Sequence, residues 1–119
     1  MGANQRKGAS FERDTADWFN EAFETDTFHP MRMGGTNDQG DVWGLYAHGK
    51  RIVIECKNHK RQDLATWVGE AERERGNADA LAKIVVMKRR GVGAKTFEET
   101  YCLMELKDLY AILTGEVYE

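Results

Sequence analysis

Residues Lys50–Lys57 (KRIVIECK) have the pattern of a β-strand, and the predicted fold is built around this strand. Successive side chains of a β-strand point to opposite faces of the sheet, so Glu55 and Lys57 share one face and Cys56 lies on the other. An acid and a lysine are therefore neighbours at the end of an otherwise apolar strand. The pattern predicts a core strand whose last residues are available for chemistry.

The residues before this strand predict its hairpin partner. Residues 41 to 47 (DVWGLYA) have strand character, and residues 48 and 49 form a tight-turn signal. Asp41 opens this strand directly after the glycine-rich connection of residues 31 to 40 (MRMGGTNDQG). A short hairpin would bring the Asp41 carboxylate near Glu55.

The amino-terminal part of the chain predicts an amphipathic helix over residues 9 to 24, with Ser10 near its start. In this helix Glu12 falls inside the apolar stripe, whereas Arg13 lies on the opposite face. We interpret the His29-Pro30 pair that follows as a break in regular structure.

The rest of the chain predicts a helix over residues 63 to 79 capped by Asp63, strands over 83 to 88 and 101 to 104, and a helix over 106 to 113. The charged residues 70 and 72 to 75 are interpreted as the solvent face of the helix over residues 63 to 79. A helix between two buried strands indicates a crossover unit. The predicted fold class is therefore α/β, a mixed central sheet flanked by helices.

Composition limits the class of protein. The 119 residues, 41% hydrophobic and 31% charged, predict one globular domain over residues 1 to 119. No apolar run approaches the roughly 20 residues of a membrane span, so we expect a cytoplasmic protein without a membrane partner. Cys56 and Cys102 lack metal-ligand spacing, so no zinc site is predicted.

The net charge of −3 is unevenly distributed. Residues 97 to 119 carry −5, and the residues before them +2. Three short basic groups stand out, and on one face they would suit nucleic acid. They are Arg6 and Lys7, then Lys57, Lys60 and Arg61, then Lys88, Arg89 and Arg90.

Asp41, Glu55 and Lys57 together form a chemically specific set. Carboxylate oxygens are the ligands that Mg²⁺ prefers, with water and phosphate oxygens completing the octahedron. A nearby lysine can orient or deprotonate the attacking water, or neutralise charge in the transition state. An ion pair at a strand end is the alternative interpretation.

Asp41 followed by Glu55-Cys56-Lys57 resembles the PD-(D/E)XK nuclease superfamily. The amino terminus, RKGASFERD over residues 6 to 14, resembles the start of the archaeal-type Holliday-junction resolvases and their phage relatives. The resemblance runs in order through the glycine-rich loop, both strands of the hairpin and the strand at residues 83 to 88. It implies a restriction-endonuclease-like core.

The resemblance also implies roles for individual residues. Asp41, Glu55 and Glu12 would bind Mg²⁺, for which Mn²⁺ can substitute, and Lys57 would assist the water; no small-molecule cofactor is implied. DNA contacts would come from Arg6, Lys7, Arg13, Arg32, Thr36, Lys60 and Arg61. Whether Asp38 replaces or assists Asp41 stays open.

The leading hypothesis is a Mg²⁺-dependent, structure-selective DNA endonuclease of a bacterial, archaeal or phage-infected cell. The resemblance implies a homodimer that nicks symmetric strands of a four-way junction. The last helix, the last strand and Tyr110 could supply the interface. The alternatives are another nuclease of the superfamily (restriction-type, flap, single-strand or RNA) or a non-catalytic nucleic-acid-binding protein.

Overall fold

The computed structural model describes residues 3–31 and 38–119, with side chains from residue 10 onward. The elements of this part, in chain order, are α1 (Ala3–Ala22), β1 (His29–Pro30), β2 (Val42–Trp43), β3 (Tyr46–Ala47), β4 (Lys50–Lys57), α2 (Leu64–Ala78), β5 (Ala82–Met87), a kinked 3₁₀ segment (Ala94–Glu99), β6 (Tyr101–Leu103) and α3 (Leu106–Thr114). None of the helices described is long and apolar enough to cross a membrane.

In the described residues the strands form one mixed sheet in the order β1-β2-β4-β5-β6, and β3 pairs with the start of β4. The β4–β5 pair is parallel and is joined by α2, whereas the other pairs are antiparallel. A parallel pair requires a crossover, and α2 supplies it. The predicted α/β class with a mixed, helix-flanked sheet is confirmed.

Helices cover both faces of the sheet. On one face, α1 and α3 pack on Ile52, Ile54 and their neighbours on β5. On the other face, α2 packs Trp67 and Ala71 against β5. Alternation along β4 therefore sends Glu55 and Lys57 towards α2, into the layer between this helix and the sheet.

The predicted continuous strand over residues 41 to 47 is wrong in one respect, because Gly44 divides it into β2 and β3. Val42 pairs with Ile54, but Tyr46 pairs with Arg51, so the register shifts by one residue between the two pairs. The extra residue forms a β-bulge. Gly44 is suited to it, because its φ is +132°.

Two other boundaries differ from the prediction. The His29-Pro30 pair is not a break but the edge strand β1, where the missing proline N–H costs no ladder hydrogen bond. Helix α1 begins at Ala3, so Ser10 lies well inside it. It ends early because Asn20 bonds both the N–H and the carbonyl of Phe28, each at 2.8 Å, and turns the chain back.

Candidate active site

The Asp41 carboxylate is fixed against β4 by a backbone hydrogen bond. The Cys56 N–H donates to Asp41 Oδ2 at 2.8 Å, and the Asp41 N–H donates to the Ile54 carbonyl at 2.8 Å. Gly40 permits this close approach, because its φ is +111° and a Cβ there would lie 2.9 Å from a β4 side chain. The Asp41 carboxylate is thereby held against β4 at the residue that follows Glu55.

Glu55 lies at the centre of a buried acidic cluster. Its side chain, in a residue only 5% exposed, reaches the carboxyl groups of Asp41 and Glu74, and Glu74 is 4% exposed. Burial first, and then these two neighbours, raise the pKa of Glu55 far above its usual range. Burial also raises the pKa of Glu74 to about 7. Carboxyl groups this close cannot all ionise unless a positive charge joins them.

Glu12 reaches the cluster from α1, on the other face of the sheet. It is half-buried, and burial followed by the charges of Asp41 and Asp38 raises its pKa to about 7. Asp38 Oδ1 accepts a hydrogen bond from the Gly40 N–H at 3.0 Å. In this geometry Asp41 lies beside Glu55, and Asp38 fixes the turn that leads to it.

Lys57 lies on the same face of β4 as Glu55 and is held between two acids. Its Nζ is 2.6 Å from Glu70 Oε2 and 3.4 Å from Glu55 Oε2. Burial alone would lower the pKa of Lys57, but the hydrogen bond to Glu70 and the charge of Glu55 outweigh this effect and raise it. Lys57 is therefore an ammonium group.

The cluster fits a hard divalent cation. Glu55 Oε1 and Glu74 Oε1 are buried without a hydrogen-bond partner, which is costly unless something binds them. Among residues 10–31 and 38–119, no three His, Cys, Asp or Glu side chains form a ready-made metal cage. Mg²⁺ does not need one, since it keeps several waters and binds through one or two carboxylates and substrate phosphates.

Basic side chains from the loops after β4 and β5 surround a cleft of about 740 Å³, here called the basic cleft. The loops meet because the strands are parallel neighbours, and the Lys88 N–H donates to the Lys57 carbonyl at 2.9 Å. The second and third basic groups of the sequence, which follow β4 and β5, thus lie close together. The cationic residues that line the cleft are Lys60, Lys88, Arg89 and Arg90.

The other predicted DNA-binding residues are distributed differently. Arg61 is exposed but does not line the basic cleft, and Arg13 is exposed on α1. Arg6 and Lys7 lie in the first turns of α1, with side chains outside the described part. Arg32 and Thr36 lie outside the described residues altogether.

The sequence interpretation missed the contribution of α2. Glu74 is buried beside Glu55, and Glu70 binds Lys57, so the assignment of both to a solvent face was wrong. A signal for them existed. Residues 67, 70, 71 and 74 recur at helical spacing, which places both acids on the same side of α2 as Trp67 and Ala71.

A family model described as "Phage putative PDDEXK endonuclease" matches residues 3–119. Searches of the curated proteins and of the solved structures found no significant match. The family match spans the whole sheet, the acidic cluster and Lys57, and the chain therefore belongs to this phage PDDEXK endonuclease family.

Proposed function

We propose that the protein is a Mg²⁺-dependent DNA endonuclease that selects branched DNA, with the four-way junction as its leading substrate. The observation that carries the proposal is the buried Glu55 carboxylate, which has Asp41 and Lys57 as neighbours and one oxygen without a partner. An apolar or ion-paired core has no use for such an arrangement. Family membership gives the nuclease class, and the substrate and the metal belong to this proposal.

Asp41 and Glu55 would hold Mg²⁺, or Mn²⁺ in its place, with Glu12 and Glu74 in the surrounding acidic cluster. When bound, the ion supplies Lewis-acid activation of the phosphodiester and of the attacking water. Asp41 can hold the ion through Oδ1, because its Oδ2 is anchored on the Cys56 N–H, which fixes the plane of the carboxylate. The two carboxylates are thus oriented before the substrate arrives.

Lys57 would stabilise charge rather than remove a proton. An ammonium group with a raised pKa is a poor general base, but it can donate to a phosphate oxygen as negative charge develops there. Glu70 positions Lys57 in this form at 2.6 Å. When the scissile phosphate binds, Lys57 can turn from Glu70 to the phosphate.

Selection of branched DNA would depend on shape and on phosphate positions. The cationic residues of the basic cleft, with Arg13 and Arg61 outside it, contact DNA backbone in this proposal and read no base edges. A four-way junction presents two symmetry-related strands, which suits a two-fold dimer with one site for each. We propose a homodimer for this reason.

The test is a gel assay of wild type and Lys57→Ala on a labelled four-way junction, a flap, a duplex and a single strand, each with Mg²⁺ or EDTA. Lys95→Ala is the matched control, since Lys95 is an exposed lysine outside the site. We expect paired, Mg²⁺-dependent nicks at the junction, lost in Lys57→Ala and kept in Lys95→Ala. Lys57→Ala should still fold and bind DNA.

Other outcomes would select an alternative. Mg²⁺-dependent cutting of every substrate would indicate a general nuclease of the superfamily. Release of mononucleotides from the ends of DNA would indicate an exonuclease. Salt-sensitive binding without cleavage under any metal would overturn the enzyme proposal and favour a nucleic-acid-binding protein.

A further inference from the structure

We infer that the basic cleft binds an unpaired DNA strand next to the scissile phosphate. The inference rests on the proposed function and narrows its substrate class. Branched DNA would then be recognised through a stretch of strand that has left the duplex, as in a flap or in a junction opened at its crossover.

The cleft offers cations for phosphate groups and no competing acid. None of its lining residues is acidic, and in the described part of the chain no carboxylate pairs with Lys60 or Arg90, both of which are exposed. Lys88 already has a partner within the protein, because its Nζ donates to the Val92 carbonyl at 2.7 Å and so stabilises the loop after β5. Lys60 and Arg90 are therefore the residues that phosphates would meet.

Just after Arg90, two residues without side chains, Gly91 and Gly93, line the cleft. A Cβ built on Gly91 or Gly93 would meet no atom within 4 Å, and Gly91 has a φ of +83°. A polynucleotide can therefore approach the main chain closely at this loop. The volume of about 740 Å³ lies within the range of sites that bind organic ligands.

Tyr101 gives the cleft a surface on which a base can stack. The residue is 53% exposed, and the Arg89 guanidinium lies over one face of its ring, 4.1 Å from the centroid, so a base would stack on the face that Arg89 leaves open. Arg89 is itself fixed, since its Nη1 donates to the Glu99 carbonyl at 2.7 Å. A base within a duplex is already stacked between its neighbours, so only an unpaired base can use this ring.

The cleft adjoins the proposed active site. Its first lining residue, Asn58, directly follows Lys57, and a strand advances only about 3.3 Å per residue. A DNA strand whose phosphate contacts Lys57 would enter the cleft within about one nucleotide. The cleft therefore holds the strand on one side of the cut.

The test measures binding in EDTA, so that it does not depend on cleavage. Fluorescence anisotropy gives the affinity of wild type, Tyr101→Leu, Tyr101→Phe and Arg90→Ala for a labelled 12-nucleotide single strand and for the duplex of the same sequence. The matched controls are Tyr46→Leu, at another exposed tyrosine, and Arg73→Ala, at an exposed arginine on α2.

We expect Tyr101→Leu to lose about tenfold in affinity for the single strand and less than twofold for the duplex. Tyr101→Phe should bind like wild type. Arg90→Ala should weaken binding to the single strand and reduce the slope of log K against log salt by about 1. Tyr46→Leu and Arg73→Ala should change neither affinity.

Equal losses for single strand and duplex in Tyr101→Leu, or no loss for either, would overturn the inference. A protein that cleaves with Mg²⁺ but shows no effect of Tyr101→Leu keeps the proposed function and refutes the role of the cleft. A protein that shows the selective loss but never cleaves keeps the cleft as a binding site and refutes the proposed nuclease activity.

Discussion

The buried carboxyl groups of Glu12 and Glu74 make the stability of the metal-free protein depend on pH. Their pKa values are raised from 4.5 to about 7, so each group stabilises the fold fully below its unfolded pKa and loses that contribution as the pH rises through about 7. Burial raises the pKa of Glu55 still further, so Glu55 changes the stability in the same direction over this range. The lowered pKa of Glu72, about 2, acts below about pH 5 and does not enter this range.

We therefore expect the free energy of unfolding, measured by urea titration in EDTA, to fall by at least about 2 kcal/mol between pH 5 and pH 8, a figure reduced for the partial solvent exposure of Glu12. Mg²⁺ should restore more stability at pH 8 than at pH 5, because its ligands must lose their protons. A metal-free protein that becomes more stable between pH 5 and pH 8 would contradict the raised pKa values of Glu12 and Glu74.

Replacing Glu74 separates its charge from its volume. Glu74→Gln removes a buried negative charge that Asp38 and Asp41 repel, so at pH 8 we expect the metal-free protein to gain about 1 kcal/mol in stability. The affinity for Mn²⁺, measured by calorimetry, should fall, because the acidic cluster has lost a negative charge. Glu98→Gln, at an exposed acid, is the control and should change neither quantity.

Gly44 fixes the register between the hairpin strands and so helps to set the position of Asp41. A Cβ at Gly44 would lie 2.9 Å from the Phe28 ring and 3.0 Å from the Phe28 Cα. We expect Gly44→Ala to cost at least about 2 kcal/mol of stability, because both the contact and the φ of +132° are unfavourable. Gly49→Ala has open space and should cost about 1 kcal/mol. Equal effects of the two variants in urea unfolding would argue against the bulge.

Lys83 ties α2, β5 and α3 together from inside the protein. Its side chain is fully buried, and its Nζ lies 2.6 Å from Glu105, 2.7 Å from Asp108 and 2.9 Å from Glu72. Asp108 also accepts a hydrogen bond from the Glu105 N–H and so caps α3. Removing the lysine alone would leave the buried Asp108 charge without its partner.

We expect Lys83→Met to cost about 3 to 5 kcal/mol in urea unfolding. Adding Asp108→Asn to Lys83→Met should recover part of this loss, so that the double variant loses less than the sum of the two single variants. Lys107→Met is the control. Lys107 reaches Glu72 and Glu105 from a more exposed position, and its loss should cost less than about 1 kcal/mol. Strictly additive losses would show that Lys83 and Asp108 act independently.

Local patterns predicted the helices and the longer strands but neither β1 nor the division between β2 and β3. The apolar run at residues 83 to 88 and the Asp63 cap predicted β5 and α2 within a residue or two. The bulge at Gly44 depends on contact with Phe28, a neighbour in space that no local period reveals. Glu55 and Lys57 could be paired by alternation, whereas placing Glu70 and Glu74 required extending the apolar stripe of α2 to the acids that share its face.

One surface of the whole molecule has the character of a protein interface. Leu106, Leu109, Tyr110 and Leu113 recur at helical spacing on α3, and all are exposed, Leu113 by 70%. The opposite side of α3 is already buried through Asp108 and Ala111. Apolar side chains grouped in this way are uncommon on a surface that faces only water.

We propose that two copies of the chain meet through this face of α3, so that light scattering gives a mass about twice 13.6 kDa for the protein in solution. Leu113→Glu should shift the protein to monomer, because a charge would be buried at the contact. Leu64→Glu, at an exposed leucine on α2, is the control and should leave the mass unchanged.

The monomeric variant also tests how the two sites cooperate. Asp41, Glu55, Glu74 and Lys57 all come from one chain, so a Leu113→Glu monomer should keep Mg²⁺-dependent nicking of single strands within a junction. The monomer should no longer make two paired nicks in opposite strands of the same junction, since a two-fold assembly is needed to place two active sites on one junction. Paired nicks from a monomer, or a wild type that is monomeric at micromolar concentration and still makes them, would refute the two-fold arrangement.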